Sequence, residues 1–254
     1  MRNIVFAILL LLGVTSCITK RELAYMQNNN LKENVPTSFN TSYKEYRLQP
    51  NDVLSIKVLS AQPELANEFN TMNPNNGFGF AEAGSHYLNG YSIDVDGNIF
   101  LPKIGKLKVS ELTSAEAKEL IQRNVERSIL DATVIVKLIS FKISVIGEVR
   151  SPGYYTIFNE QANLFEGLAM AGDLTTAGNR QNIKLVRQKP GSSDVVLLDL
   201  ADPNIVQSPY YYLQPNDVIY VEPRGKYLSR ENLSLAGTVF GLISTTVLLL
   251  NYLK

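Results

Sequence analysis

Side chains able to do chemistry are scarce in this chain. Its 254 residues hold one histidine, His86, and one cysteine, Cys17. A single imidazole cannot build a His-rich metal site, and it weakens most acid–base schemes. His86 lies in an Asn- and Gly-rich stretch, where a lone histidine is ordinarily a solvated side chain. No G-x-S-x-G run marks a hydrolytic serine, and no spacing singles out an acidic pair for glycoside cleavage. Asp94 and Asp96 invite a calcium reading. An EF-hand loop, however, needs glycine at its sixth position and Gly97 stands at the fourth. Asp96-Gly97 reads instead as a two-residue hairpin turn. The expectation is a non-enzyme with no catalytic residue, no metal and no cofactor.

Cys17 carries the one piece of covalent chemistry. "MRNIVFAILLLLGVTSC" has a positive Arg2, an apolar run from Ile4 to Leu12, then small residues. That is a secretory signal over 1–16, too short to span a bilayer. Val14-Thr15-Ser16-Cys17 resembles a bacterial lipobox. The resemblance implies lipid attachment at Cys17: a diacylglycerol on the thiol and an N-acyl chain on the new amino terminus. The plainer alternative is an ordinary signal that happens to contain a cysteine. Each buried CH2 would add about 0.8 kcal/mol, so several chains would hold the protein to a bilayer almost permanently. Ile18 and Thr19 follow Cys17, with no Asp, so the inner-membrane retention signal of such lipoproteins is missing. The outer membrane is the expected location. With one cysteine no intramolecular disulfide can form.

Lys plus Arg equals Asp plus Glu at 24 each, which argues against a nucleic-acid partner. Residues 17–45 are polar and weakly patterned and read as a lipidated tether. Beyond it "LQPNDV" occurs twice, at Leu48–Val53 and Leu213–Val218. Pro50 and Asp52, like Pro215 and Asp217, are turn residues that open into strands rich in β-branched side chains. The first unit, 46–139, contains a long irregular insertion over 59–90. A strand through Tyr91, Ile93 and Val95 follows, then the Gly97 turn and a strand from Ile99. The helix "TSAEAKELIQRNVERSI" comes next, with a capping box between Thr113 and Glu116. The strand Thr133–Ile139 closes the unit. The second unit, 140–223, has a turn at Pro152-Gly153, a short helix stopped by Gly172, and a hairpin across Pro190-Gly191. A mixed sheet around one short helix is β-grasp-like. The fold class is therefore α+β, two small mixed units.

In their order these stretches resemble the polysaccharide export domain and the following soluble-ligand-binding β-grasp domain of the Wza-like outer-membrane export family. "YRLQPNDVLSIKV" and "YSIDVDGNIFLPKIGKLKVSELTSAEAKELI" carry the first resemblance, "VIGEVRSPGYY…NLFEGLAMAGDLT" the second. Asn51 stands where the family has Gly, and Asn tolerates the same left-handed turn. The resemblance implies a homo-oligomeric ring acting as a passive conduit for capsular or exopolysaccharide. Its implied partners are an inner-membrane copolymerase of the tyrosine-kinase type, the polysaccharide chain and the outer membrane. The rival reading is a periplasm-facing lipoprotein that binds or scaffolds polysaccharide without forming a pore.

The chain ends in an uncharged run from Asn232 to Leu253. Over 231–254 it is expected to be a helix that crosses the membrane, with Gly237 and Gly241 as a G-x-x-x-G contact.

Overall fold

We describe a computed structural model, which places residues 23–27, 31–41, 43–70, 90–224 and 230–252. Cys17, His86 and most of the 59–90 insertion therefore lie outside the described residues, as does the signal segment.

The first unit is a three-stranded antiparallel sheet in the order β2-β1-β5, crossed by one helix. β1 (Val53–Leu59) pairs along its length with β5 (Thr133–Leu138), from Leu54 opposite Leu138 to Leu59 opposite Thr133. Short β2 (Tyr91–Ser92) flanks the other edge. α2 (Ser114–Val125) starts at Thr113, whose hydroxyl accepts the Glu116 N–H while the Glu116 carboxylate accepts the Thr113 N–H. This closed box satisfies two otherwise orphaned donors. The apolar stripe of α2, Ala117, Ile121 and Val125, is buried against Leu54, Ile99 and Leu101.

Two expectations for this unit need correction. Alternation placed Val95 on a buried face, yet it is 84% exposed. The strand stops at Ser92 because Asp94 captures the chain: its carboxylate accepts the N–H groups of Asp96 (3.0 Å) and Asn98 (2.8 Å). Asp96-Gly97 does make a tight turn, with the Gly97 N–H on the Asp94 carbonyl (2.9 Å) and the Asp94 N–H on the Asn98 carbonyl (2.8 Å), but β2 and the strand beyond it lie in different sheets. β3 (Asn98–Leu101) pairs with β4 (Gly105–Lys108), around a turn at Pro102-Lys103. Gly97 is still needed. Its φ is +82°, and a Cβ there would lie 2.0 Å from Ser110 Oγ.

The beginning of the insertion is also more ordered than its composition suggests. α1 (Pro63–Asn67) follows β1, and Phe69 is buried. Asn70 then behaves like one more strand residue: its side chain accepts the Val58 N–H (2.8 Å) and donates to the Val58 carbonyl (3.0 Å).

The second unit is a five-stranded sheet in the order β7-β6-β10-β8-β9. β6 (Lys142–Gly147) and β10 (Val218–Pro223) are parallel, and the other neighbours are antiparallel. β7 is Gly153–Thr156, β8 Gly178–Lys189 and β9 Ser192–Leu198. Parallel neighbours require a long crossover, and this one contains α3 (Leu164–Met170). Leu164 and Leu168 bury themselves among Ile143, Leu185 and Ile219. Gly167 allows the close approach, since a Cβ there would be 2.8 Å from Leu213. Leu138 packs on the cores of both units and links them.

α4 (Arg230–Tyr252) is the expected carboxyl-terminal helix. The expectation that it crosses a membrane is not carried. Among the described residues no helix is long and apolar enough to do so. Ser244, Thr245 and Thr246 return their hydroxyls to the carbonyls four residues back, at 2.7–2.8 Å. Gly237 and Gly241 both face open space, with nothing within 4 Å of a Cβ built at either.

Candidate functional site

The twice-spelled hexapeptide builds the same bend twice. Asn51 and Asn216 both take left-handed φ, 73° and 66°. The Asp52 and Asp217 N–H groups each donate to the carbonyl of the glutamine three residues earlier, both at 3.1 Å. In return each carboxylate accepts that glutamine's N–H, Gln49 at 2.9 Å and Gln214 at 2.8 Å. Pro50 and Pro215 occupy the position that wants a fixed negative φ. Leu48 and Leu213 anchor the bends in the two cores.

The bends differ in what meets the buried carboxylate. Asp52 accepts from the Tyr46 hydroxyl at 2.9 Å and lies 3.4 Å from Ser140 Oγ, which itself accepts the Val53 N–H. Only neutral donors oppose its desolvation. Burial pushes the Asp52 carboxyl up from its ordinary value, and the bonds from Gln49, Tyr46 and Ser140 only partly counter this. Asp217 is fully buried but meets a cation. Arg187 on β8 grips it with two bonds, Nε at 3.0 Å and a terminal nitrogen at 2.7 Å. The second nitrogen also donates to the Tyr212 carbonyl at 2.8 Å. Tyr210 lies under the guanidinium, 5.1 Å from its ring centre.

A cleft opens between the two bends, where the units meet. Tyr43, Tyr46, Thr113, Glu160, Tyr212 and Gln214 are among the residues that line it. A wider recess of about 570 Å³ continues past Phe141 to Phe158 and Asn159. The Tyr43 and Tyr212 rings meet edge to face at 5.1 Å. Aromatic edges beside carboxamides and a carboxylate suit a hydrated, hydroxyl-rich ligand. They supply no nucleophile with an adjacent base. Among the described residues no cluster of His, Cys, Asp or Glu could hold a metal.

The turn residues expected from sequence fall at structural points rather than in one site. Pro50, Asp52, Pro215 and Asp217 make the paired bends. Gly153 opens β7 opposite Val145, just after Pro152. Sequence reasoning did not find Arg187, Tyr43, Tyr212 or Tyr25. Residues 23–27, inside the stretch expected to be a tether, lie against the second unit: Met26 donates to the Leu200 carbonyl at 2.9 Å.

Comparison with known proteins returns the same two units. Residues 40–139 match the family model described as polysaccharide biosynthesis/export protein. Residues 141–221 match the SLBB domain. The "EPS I polysaccharide export outer membrane protein EpsA" of Ralstonia solanacearum is 30% identical over 184 residues, 70% of this chain and 48% of that protein. Its counterpart in Ralstonia nicotianae is 31% identical over 188 residues, with the same shares. The chain spans about half the length of these curated relatives.

Proposed function

Because the chain belongs to the Wza-like polysaccharide export family, we propose that it is a non-catalytic component of a polysaccharide export apparatus. The observation that carries this is the unbroken succession of an export domain and an SLBB domain over 40–221. Two proteins named as polysaccharide export outer membrane proteins match the chain over 184 and 188 residues. Two compact units and a polar aromatic cleft support a conduit or docking role.

The finer parts of the reading follow the family. The chain works as a homo-oligomeric ring at the outer membrane, held by acyl groups on Cys17. It receives capsular or exopolysaccharide from an inner-membrane copolymerase. Deleting the gene and restoring it in its own host tests the role. Surface polymer should fall several-fold on deletion, with polymer retained inside the envelope, and return on complementation. Unchanged surface polymer would remove the export reading. Ring assembly is read from the mass and shape of detergent-extracted particles, and a strictly monomeric product would exclude it. Palmitate labelling of the wild type, lost in Cys17→Ser, tests the anchor.

A further inference from the structure

Residues 23–27, which follow Cys17 in the chain, are gripped rather than loose. Tyr25 donates its phenol proton to Asp173 Oδ1. Its ring meets Phe165 of α3 edge-on at 5.9 Å, and the Arg180 guanidinium lies 5.1 Å from its centre. Arg180 is 6% exposed and poorly served without that ring. Its Nε finds no hydrogen-bond partner among the described residues, and its bonds to the Thr175 and Gly178 carbonyls are long, 3.4 Å each. A buried guanidinium in that condition gains from an aromatic face. Beside the ring, Met26 and Gln27 donate to the Leu200 and Ala201 carbonyls at 2.9 and 2.6 Å.

Farther along the chain Tyr43 docks on the same surface. Its ring contacts Tyr212, which contacts Tyr211 at 5.2 Å, which contacts Phe165 at 6.2 Å. Five rings thus make one edge-to-face row. The middle three belong to the second unit, and the amino-terminal segment supplies both ends.

We propose that this segment is a brace pinned to the second unit at Tyr25 and Tyr43. Tyr25 is a plug in a socket made by Phe165, Asp173 and Arg180. The brace stands on these contacts alone. One consequence rests on the lipid anchor proposed above. Tyr25 lies eight residues beyond Cys17, at most about 28 Å of extended chain. An acylated Cys17 therefore holds the second unit within that reach of its bilayer. Load on the lipid enters the second unit before the first.

Amide hydrogen exchange on the full chain tests the brace. Met26 and Gln27 should exchange well below the free-chain rate. Tyr25→Ala should speed both about tenfold or more, while Ile56 in β1 and Leu185 in β8 keep their protection. Tyr25→Phe keeps the ring and loses the bond to Asp173, so about a threefold increase is expected. Should Tyr25→Ala unfold the second unit, the Phe variant decides. Free-chain exchange at Met26 and Gln27 in the wild type would overturn the brace. So would an unchanged rate in both variants. No polymer is measured, so either failure leaves the export reading standing.

Discussion

At Asn51 and again at Asn216 the chain makes one bend, with the same six residues and bond lengths that agree within 0.1 Å. The carboxylates at the two bends nevertheless live in different electrostatic settings. Asp52 is buried among neutral hydroxyls and an amide, and Asp217 is buried on a guanidinium. The backbone bond explains why both bends need an Asp. It does not explain how each fold tolerates a buried charge. In the first unit the charge is opposed by shared hydrogen bonds, in the second by a counter-ion that is itself 7% exposed. Identical words can therefore carry different stability consequences.

The sharpest way to break this comparison is to delete each carboxylate. Asp217→Ala strands Arg187 as a buried cation, and such stranding costs about 3–5 kcal/mol. The second unit should show that loss in chemical denaturation. A cost below about 1 kcal/mol would mean that Arg187 escapes to solvent and that the pair is not structural. Asp52→Ala strands no ion. It leaves the Tyr46 hydroxyl and the Gln49 N–H without an acceptor, so about 1–3 kcal/mol is expected in the first unit. If the two variants cost the same, Arg187 adds nothing at the second bend that the neutral donors do not supply at the first.

A smaller effect should be shared. Asn51→Ala and Asn216→Ala each force alanine into a left-handed φ that costs roughly 1–2 kcal/mol. Because both bends have the same geometry, the two losses should agree within about 0.5 kcal/mol when each unit is measured separately. A clear inequality would show that Asn side-chain contacts, rather than backbone conformation, select the residue at one bend.

Legibility from sequence followed the same division between local and distant causes. The Thr113–Glu116 box, the paired bends and the Pro190-Gly191 hairpin depend on residues within a few positions, and all could be read directly. Arg187 could not, because its role depends on register: Val186 pairs with Val218, which sets Arg187 beside Asp217. Val95 was misread because alternation says nothing about where a strand ends, and the Asp94 side chain ends this one. α1 escaped notice because five residues show no helical period, and its N-cap Gln62 makes no side-chain bond. Tyr25 and Tyr43 are isolated rings in a polar stretch, with no periodicity to mark them. The cleft was invisible for the same reason, since its walls come from segments over a hundred residues apart. The membrane-spanning expectation rested on hydropathy and on the family resemblance, and among the described residues no helix is long and apolar enough to carry it.

The smallest expected effect concerns pH, and it tests the electrostatic half of the comparison. Burial holds the Asp52 carboxyl above the ordinary aspartate range, because neutral donors only partly offset its desolvation. A group whose folded pKa is raised favours the folded state most when protonated. Its contribution is fully present below the unfolded aspartate value, near 3.9, and is lost as pH rises through the folded pKa. First-unit stability should therefore decline as pH climbs from about 4 through the raised folded pKa. Asp52→Asn keeps an acceptor for Tyr46 and Gln49 but cannot titrate, so it should flatten that decline. Burial pushes Asp217 in the same direction, but Arg187 pulls it back, so the second unit should show the shallower dependence. Exchange at Ile56 and Leu185, followed across pH and corrected for intrinsic rates, reads the two units in one sample. Equal slopes in the two units would show that the hydroxyls around Asp52 do as much for its charge as the guanidinium does for Asp217.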